Sequence, residues 1–281
     1  MSKSLHDWYS FIDKIMLVVG SLFLVFGIIF LVAFNWDDIP RYLKFGLAEG
    51  LVTLSVLASI LFNSKKLYSD ISLLVASFLV GVLLALFGQV YQTGADTWQL
   101  FFYWAILIFA WVLVSRFSFM WGLFVILINT SALMYVKNCY FMQGNTVGLI
   151  FIAINSVFLV FFEISSYKFK YFKNSWLIRF VGFLSAISFF VLFNKLDFLT
   201  FLVWGIWLAY VYYMYRIKQI DLFMMTLFYI VVSIGIINIL ISLMGHIEFL
   251  YIFIIGIVLL VVTAISATWL KSLHKELNNE K

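Results

Sequence analysis

Cysteine is almost missing from the chain. Cys139 is the only one among 281 residues, so no intramolecular disulfide forms and no cysteine-based metal cluster can be built. Proline occurs once, as Pro40. That removes the proline-broken helices on which many carriers place a midplane site, and any such break has to rest on glycine. Charge is sparse: Asp, Glu, Lys and Arg make up 11% of the residues, too few to clothe a water-facing surface. The three histidines, His6, His246 and His274, are too dispersed for the paired spacing of a zinc-protease helix, and no phosphate-cradling glycine loop or nucleophile elbow is present. His246 beside Glu248 reads as a solvated turn. Enzyme is therefore the least favoured class, and no metal or cofactor is expected.

What the chain does contain is apolar surface. Apolar residues make up 65% and aromatic residues 21%, with a mean hydropathy of +1.10. These residues gather into runs of the ~20 needed to cross ~30 Å of hydrocarbon as helix. The apolar–polar alternation of an outer-membrane barrel strand is absent, and helices satisfy their own backbone in lipid. The expected fold class is an all-α integral membrane protein, a polytopic bundle of about ten transmembrane helices. The expected spans are Ile15–Phe34, Phe45–Phe62, Ile71–Gly88, Leu100–Ser115, Phe119–Val136, Thr146–Glu163, Leu177–Phe193, Phe198–Tyr215, Leu222–Leu243 and Phe249–Leu270. They form a single transmembrane domain over 1–281: an interfacial lead-in 1–13, helices one to five within 14–136, helices six to ten within 146–270 and a cytoplasmic tail 271–281. Ile15 to Phe34 lacks a clear small-residue cleavage site after it, so it reads as a retained helix rather than a signal peptide.

Threading these ten spans with the amino terminus inside places fourteen of the eighteen Lys and Arg residues on the cytoplasmic side and four, Arg41, Lys44, Lys137 and Lys195, on the other. The asymmetry follows the positive-inside rule and puts both termini in the cytoplasm. The net charge of +5 is thus a topology signal. Lys168, Lys170 and Lys173 suit a loop touching anionic headgroups of membrane lipid, and no segment is long enough for a basic nucleic-acid surface.

One polar interruption stands out, Gly88-Gln89-Val90-Tyr91-Gln92-Thr93-Gly94-Ala95-Asp96-Thr97-Trp98-Gln99, which carries no Lys or Arg. With Asn35-Trp36-Asp37-Asp38-Ile39-Pro40-Arg41 after the first span and an aromatic-rich helix containing Trp104, it resembles a bacterial membrane family catalogued as domain of unknown function 2157, clearly over residues 15–116. The resemblance implies a bacterial inner-membrane location and supplies no established activity or catalytic residues.

The same residues, taken for their chemistry, place both polar connections on the outer face. Asn35, Asp37, Asp38 and Arg41 can meet Gln89, Tyr91, Gln92 and Asp96 there as a cluster of amides, rings and carboxylates suited to a small polar solute or a partner's peptide. The plainer reading is local: Asp96 and Gln99 have capping-box spacing, Gly94 suits a turn, and Trp36 and Trp98 suit the interfacial belt. Ser77, Gly81 and Ala85 form a small-residue stripe leading to Gln89, read either as a packed seam or as a solute path. Glu49, beside Gly46, Gly50 and Thr53 within the second span, is an intramembrane carboxylate and hence a candidate proton or ligand site, or else one half of an ion pair with Arg41 or Lys44. Asn129, Asn155 and Asn238 read as interhelical hydrogen-bonding residues, and Glu163 as an interfacial ion pair beside Lys168–Lys173. Two functions stay open: a small-solute transporter or channel-like protein, weakly favoured for Glu49, and a non-transporting assembly, scaffold or sensing protein of the cell envelope with a membrane-protein partner. Oligomeric state is not legible.

Overall fold

The computed structural model describes residues 5–34, 39–115, 117–138, 145–169, 172, 175–192, 197–244 and 248–279. Among them lie ten α-helices: α1 (Leu5–Phe34), α2 (Arg41–Leu61), α3 (Lys66–Tyr91), α4 (Thr97–Ser115), α5 (Ser118–Asn138), α6 (Asn145–Lys168), α7 (Ser175–Leu192), α8 (Phe198–Tyr212), α9 (Leu222–Met244) and α10 (Glu248–Asn279). A π-helical turn, Tyr213–Lys218, follows α8 directly. Among the described residues, eight helices are long and apolar enough to cross a membrane, α8 counted together with its π turn, and the described apolar stretches of α7 and α10, Trp176–Leu192 and Leu259–Leu273, are shorter. With its 18 residues, α7 measures about 27 Å, just under the ~30 Å of a hydrocarbon core. Large apolar side chains are strongly exposed, Phe23 at 72%, Val114 at 74% and Phe198 at 81%, which is the surface a lipid solvent requires. The chain is an all-helical, multi-spanning membrane protein.

Each helix expected from the apolar runs is present, and most extend beyond their runs. The first helix begins at Leu5, inside the expected lead-in, because nothing between Leu5 and Gly20 breaks it. Pro40 opens α2: its φ of −63° suits the position, and its carbonyl accepts from the amides of Leu43 and Lys44. The start of α3 lies at Lys66, where Lys66 pairs with Asp70 at 2.7 Å and donates to the Ser115 carbonyl at the end of α4.

The chain divides into two compact units, Met1–Tyr135 and Val136–Lys281. In the first, α3 is the central element, with α1, α2 and α4 packed against it. Its buried residues Ile71, Leu74, Leu79, Val80 and Leu86 fill the interior together with Ala105, Ile108 and Val112 of α4. In the second, α6 pairs with α7, and α9 packs on α7, α8 and α10. The α6–α7 approach is close: a Cβ on Gly148 would lie 2.6 Å from the Leu192 backbone.

The same joint recurs in both units. The Trp104 indole of α4 lies on Gly81 of α3, and the Trp204 indole of α8 lies on Gly235 of α9; in both cases a Cβ on the glycine would come within 2.4 Å of the ring. A helical side chain covers the turn on the amino-terminal side of its own Cα, so a glycine leaves open the carbonyl four residues earlier. Each indole donates to that carbonyl: Trp104 Nε1 to Ser77 O at 2.7 Å, and Trp204 Nε1 to Val231 O at 3.2 Å. The joint thus buries a large ring and satisfies its one polar atom where no water is available. It also settles the small-residue stripe as a packed seam at Ser77 and Gly81. We expect Gly81→Ala and Gly235→Ala each to destabilise the fold by about 1–3 kcal/mol, the cost of overpacking, while Gly50→Ala, with nothing within 4 Å of a new Cβ, has no such cost. Thermal unfolding in detergent checks the contrast.

Candidate functional site

The polar turn of the first unit is built by two left-handed residues. Gln92 closes α3 at φ 44°, and Gly94 follows at φ 63°. The chain then enters α4, where the Gln99 amide bonds the Asp96 carbonyl at 3.0 Å. Asp96 does not use its side chain as the capping-box spacing implied: the carboxylate accepts from Trp98 Nε1 at 3.3 Å. Ser131 of α5 donates to the Trp98 carbonyl at 3.0 Å and fixes the turn against α5. Beside it opens a recess of about 710 Å³, whose polar lining comes from Gln92, Thr93, Asp96, Thr97 and Gln99, with Leu84, Ala85, Phe87 and Tyr103 as apolar walls.

The second unit holds a carboxylate in its interior. Glu163 of α6 is 5% exposed. Each of its oxygens takes one tyrosine hydroxyl: Tyr210 of α8 donates to Oε2 at 2.5 Å, and Tyr215 of the π turn donates to Oε1. Five residues along an α-helix turn through about 500°, which leaves such residues about 140° apart. The π turn, which pairs i with i+5 and carries the Gln219 amide to the Met214 carbonyl at 2.9 Å, widens the helix so that both hydroxyls reach one carboxylate. The ion pair expected at Glu163 is not what forms. The helix continues past it to Lys168, and among the described residues the groups that bond Glu163 are hydroxyl donors.

A polar shell surrounds this carboxylate. Tyr167, one turn further along α6, accepts from Gln219 Nε2 at 2.9 Å, and Lys218 Nζ lies 4.6 Å from its ring centroid. Asp221 serves two elements. Its Oδ1 accepts from the amides of Phe223 and Met224 at the start of α9, and its Oδ2 pairs with Arg179 of α7 at 2.9 Å. Next to these groups lies a cavity of about 430 Å³ lined by Ser166, Tyr167, Ile178, Tyr215, Gln219, Ile220 and Asp221. A second cavity of about 230 Å³, between α6 and α8, is lined by mostly apolar residues with Ser156, Trp207 and Tyr210. Trp207 Nε1 is already engaged by Ser185 Oγ at 2.7 Å.

Residues 3–121 match the family model described as predicted membrane protein (DUF2157). The DUF2157 match takes in α1 to α4 and the beginning of α5, including the whole α3–α4 turn, and ends before Glu163. No curated protein and no solved structure matches the chain.

Within the DUF2157 segment, Gln89, Tyr91, Gln92 and Asp96 are all exposed, and of the four only Gln92 and Asp96 line the recess. Tyr91 packs on Phe87 and on Phe45 of α2, at ring separations of 4.8 and 5.8 Å, so the start of α2 and the end of α3 meet. Arg41 is exposed at that start, and Asn35, Asp37 and Asp38 lie outside the described residues. Glu49 is exposed on α2, and among the described residues no ion-pair partner approaches it. The groups around Glu163 were not legible: a tyrosine spacing of five matches no α-helical face, and Arg179 and Asp221 are 42 positions apart. Asp221 before the apolar run from Leu222 was the one signal, that of an N-cap. Because Asp221 both caps α9 and pairs with α7, we expect Asp221→Ala to lower stability by about 1–2 kcal/mol, clearly more than Arg179→Gln, which loses only a half-exposed ion pair worth at most about 1 kcal/mol. Chemical unfolding of the two variants side by side checks the order.

Proposed function

We propose that the chain is a small-solute transporter or channel-like protein of a bacterial inner membrane, with amino and carboxyl termini cytoplasmic. The observation that carries this reading is the recess of about 710 Å³ at the α3–α4 turn, of the size small-molecule sites occupy and lined on its polar side by amide, hydroxyl and carboxylate groups. Gln92 and Asp96 are its proposed solute contacts. Gln89, Tyr91, Arg41, Asn35, Asp37 and Asp38 supply the proposed rim, and Glu49 a carboxylate further along α2. The sidedness rests on the fourteen-to-four division of Lys and Arg, which turns the recess outward.

Uptake by proteoliposomes of a labelled panel of amino acids, sugars, polyols and small organic ions tests the function. At least one solute should enter above protein-free vesicles, and Gln92→Ala combined with Asp96→Asn should cut that flux about tenfold or more, the scale of losing two solute hydrogen bonds. A blank panel overturns the reading. A second reading, assembly with another membrane protein, is favoured by α2, where nothing lies within 4 Å of a Cβ added at Gly46 or Gly50 and Glu49 is exposed. A blank panel together with crosslinks from Gly50→Cys in native membranes would support it. Sidedness is checked in a Cys139→Ser background: an impermeant maleimide should label Thr93→Cys on intact cells and Lys168→Cys only after permeabilisation, and the reverse pattern inverts the topology.

A further inference from the structure

Each oxygen of Glu163 is bonded by a tyrosine, and the two tyrosines line different cavities. Tyr215, on Oε1, lines the cavity of about 430 Å³; Tyr210, on Oε2, lines the one of about 230 Å³. We propose that Tyr215, Glu163 and Tyr210 are a proton relay, loaded from the larger cavity through Tyr215 and facing the smaller one through Tyr210. The inference rests on the transport reading for its purpose, the coupling of solute movement to protons, and on the second unit's geometry for its substance.

The arrangement suits a proton better than a bound cation. Both carboxylate oxygens already face O–H hydrogens, which would point at any metal ion placed among them. A proton needs no added ligands. Hydronium in the larger cavity gives a proton to Tyr215 Oη and leaves water; the hydrogen Tyr215 already carries passes to Glu163 Oε1. Glu163 is then a neutral carboxylic acid and Tyr215 a neutral phenol whose hydrogen faces the cavity. The reverse steps return the proton; rotation of the neutral carboxyl group turns its O–H from Tyr215 toward Tyr210, and Tyr210 Oη accepts that proton as the hydrogen it already carries leaves to the other side.

The two sides differ in a way that prevents free leakage. The larger cavity is walled by Ser166, Tyr167, Gln219 and Asp221, enough polar partners to hold water. The smaller offers the hydroxyls of Ser156 and Tyr210 among Ile152, Leu159, Val160, Val203 and Ile206, and apolar cavities stay dry. Protons therefore reach Glu163 from one side at rest. The charged and titratable groups that act on Glu163 are Tyr210 from α8 and Tyr215 and Lys218 from the π turn; Tyr167 of its own helix acts on Tyr210, and Asp221, paired with Arg179 of α7, acts on Tyr215. Lys218 and the internally neutral pair leave the Glu163 proton as the one whose gain changes the local charge.

Infrared difference spectroscopy after a rapid pH jump, on the full chain in liposomes, tests the relay. Acidification should produce a protonated-carboxyl band that Glu163→Gln removes, with Glu163→Gln retaining wild-type helicity and a monodisperse gel-filtration profile. Tyr215→Phe, which keeps the ring and removes the hydroxyl, should slow its appearance about tenfold or more, within the range for lost proton-transfer groups. A band that survives Glu163→Gln, the absence of any carboxyl band, or a wild-type rate in Tyr215→Phe overturns the relay. Solute flux that continues unchanged in Glu163→Gln overturns it too while leaving the transport reading intact; a Glu163 band with a blank solute panel does the opposite.

Discussion

In hydrocarbon a polar atom finds its partner inside the protein or carries a cost of several kcal/mol, and the arrangement of this chain follows from that one requirement. It explains why the structure is all helix among its described residues, and why Trp104 and Trp204 enter helix seams over glycine. Trp104 and Trp204 each bring one N–H into the bundle, and each finds a helix carbonyl left open by a missing Cβ. The two joints exchange roles, since the glycine helix comes first in one unit and second in the other. They are thus two solutions to one packing problem rather than copies of one segment.

The same requirement makes Glu163 unusual. A carboxylate inside the bundle is a demanding group, and this one is held by two phenolic hydroxyls instead of a cation. Hydroxyls stabilise the charge without cancelling it, and they can reverse direction, because each phenol both donates and accepts. An ammonium or guanidinium in their place would lock the charge. The full cations nearby are placed elsewhere: Arg179 on Asp221, and Lys218 over the Tyr167 ring.

Much of the architecture was legible because the apolar runs and their breakers follow directly from lipid thickness. The spans could be read from Ile71 or Thr146 onward, but their ends could not, since helices such as α3 and α6 continue into the polar zone until a left-handed residue or a loop stops them. The turn at Gly94 was legible as a turn because its chemistry is local. Glu49 drew attention as a carboxylate in a span and lies on an exposed face, whereas Glu163 looked like a helix-end charge and is enclosed. Which way a helical residue faces depends on neighbours hundreds of atoms away, and only packing decides it. The Glu163 setting also depends on a break in helical period, which no counting of threes and fours anticipates.

That break has a consequence of its own. A π turn is an α-helix that has accommodated one surplus residue, so the meeting of Tyr210 and Tyr215 at one carboxylate depends on the turn as well as on the side chains. Removing a single residue between Tyr210 and Tyr215 would let the segment relax to the regular helix with the tyrosines four positions apart, about 40° round the axis, so that both phenols would still face the glutamate. Spacing and helix type are therefore coupled: tyrosines five apart need the π turn to meet at one carboxylate, and tyrosines four apart would need its absence.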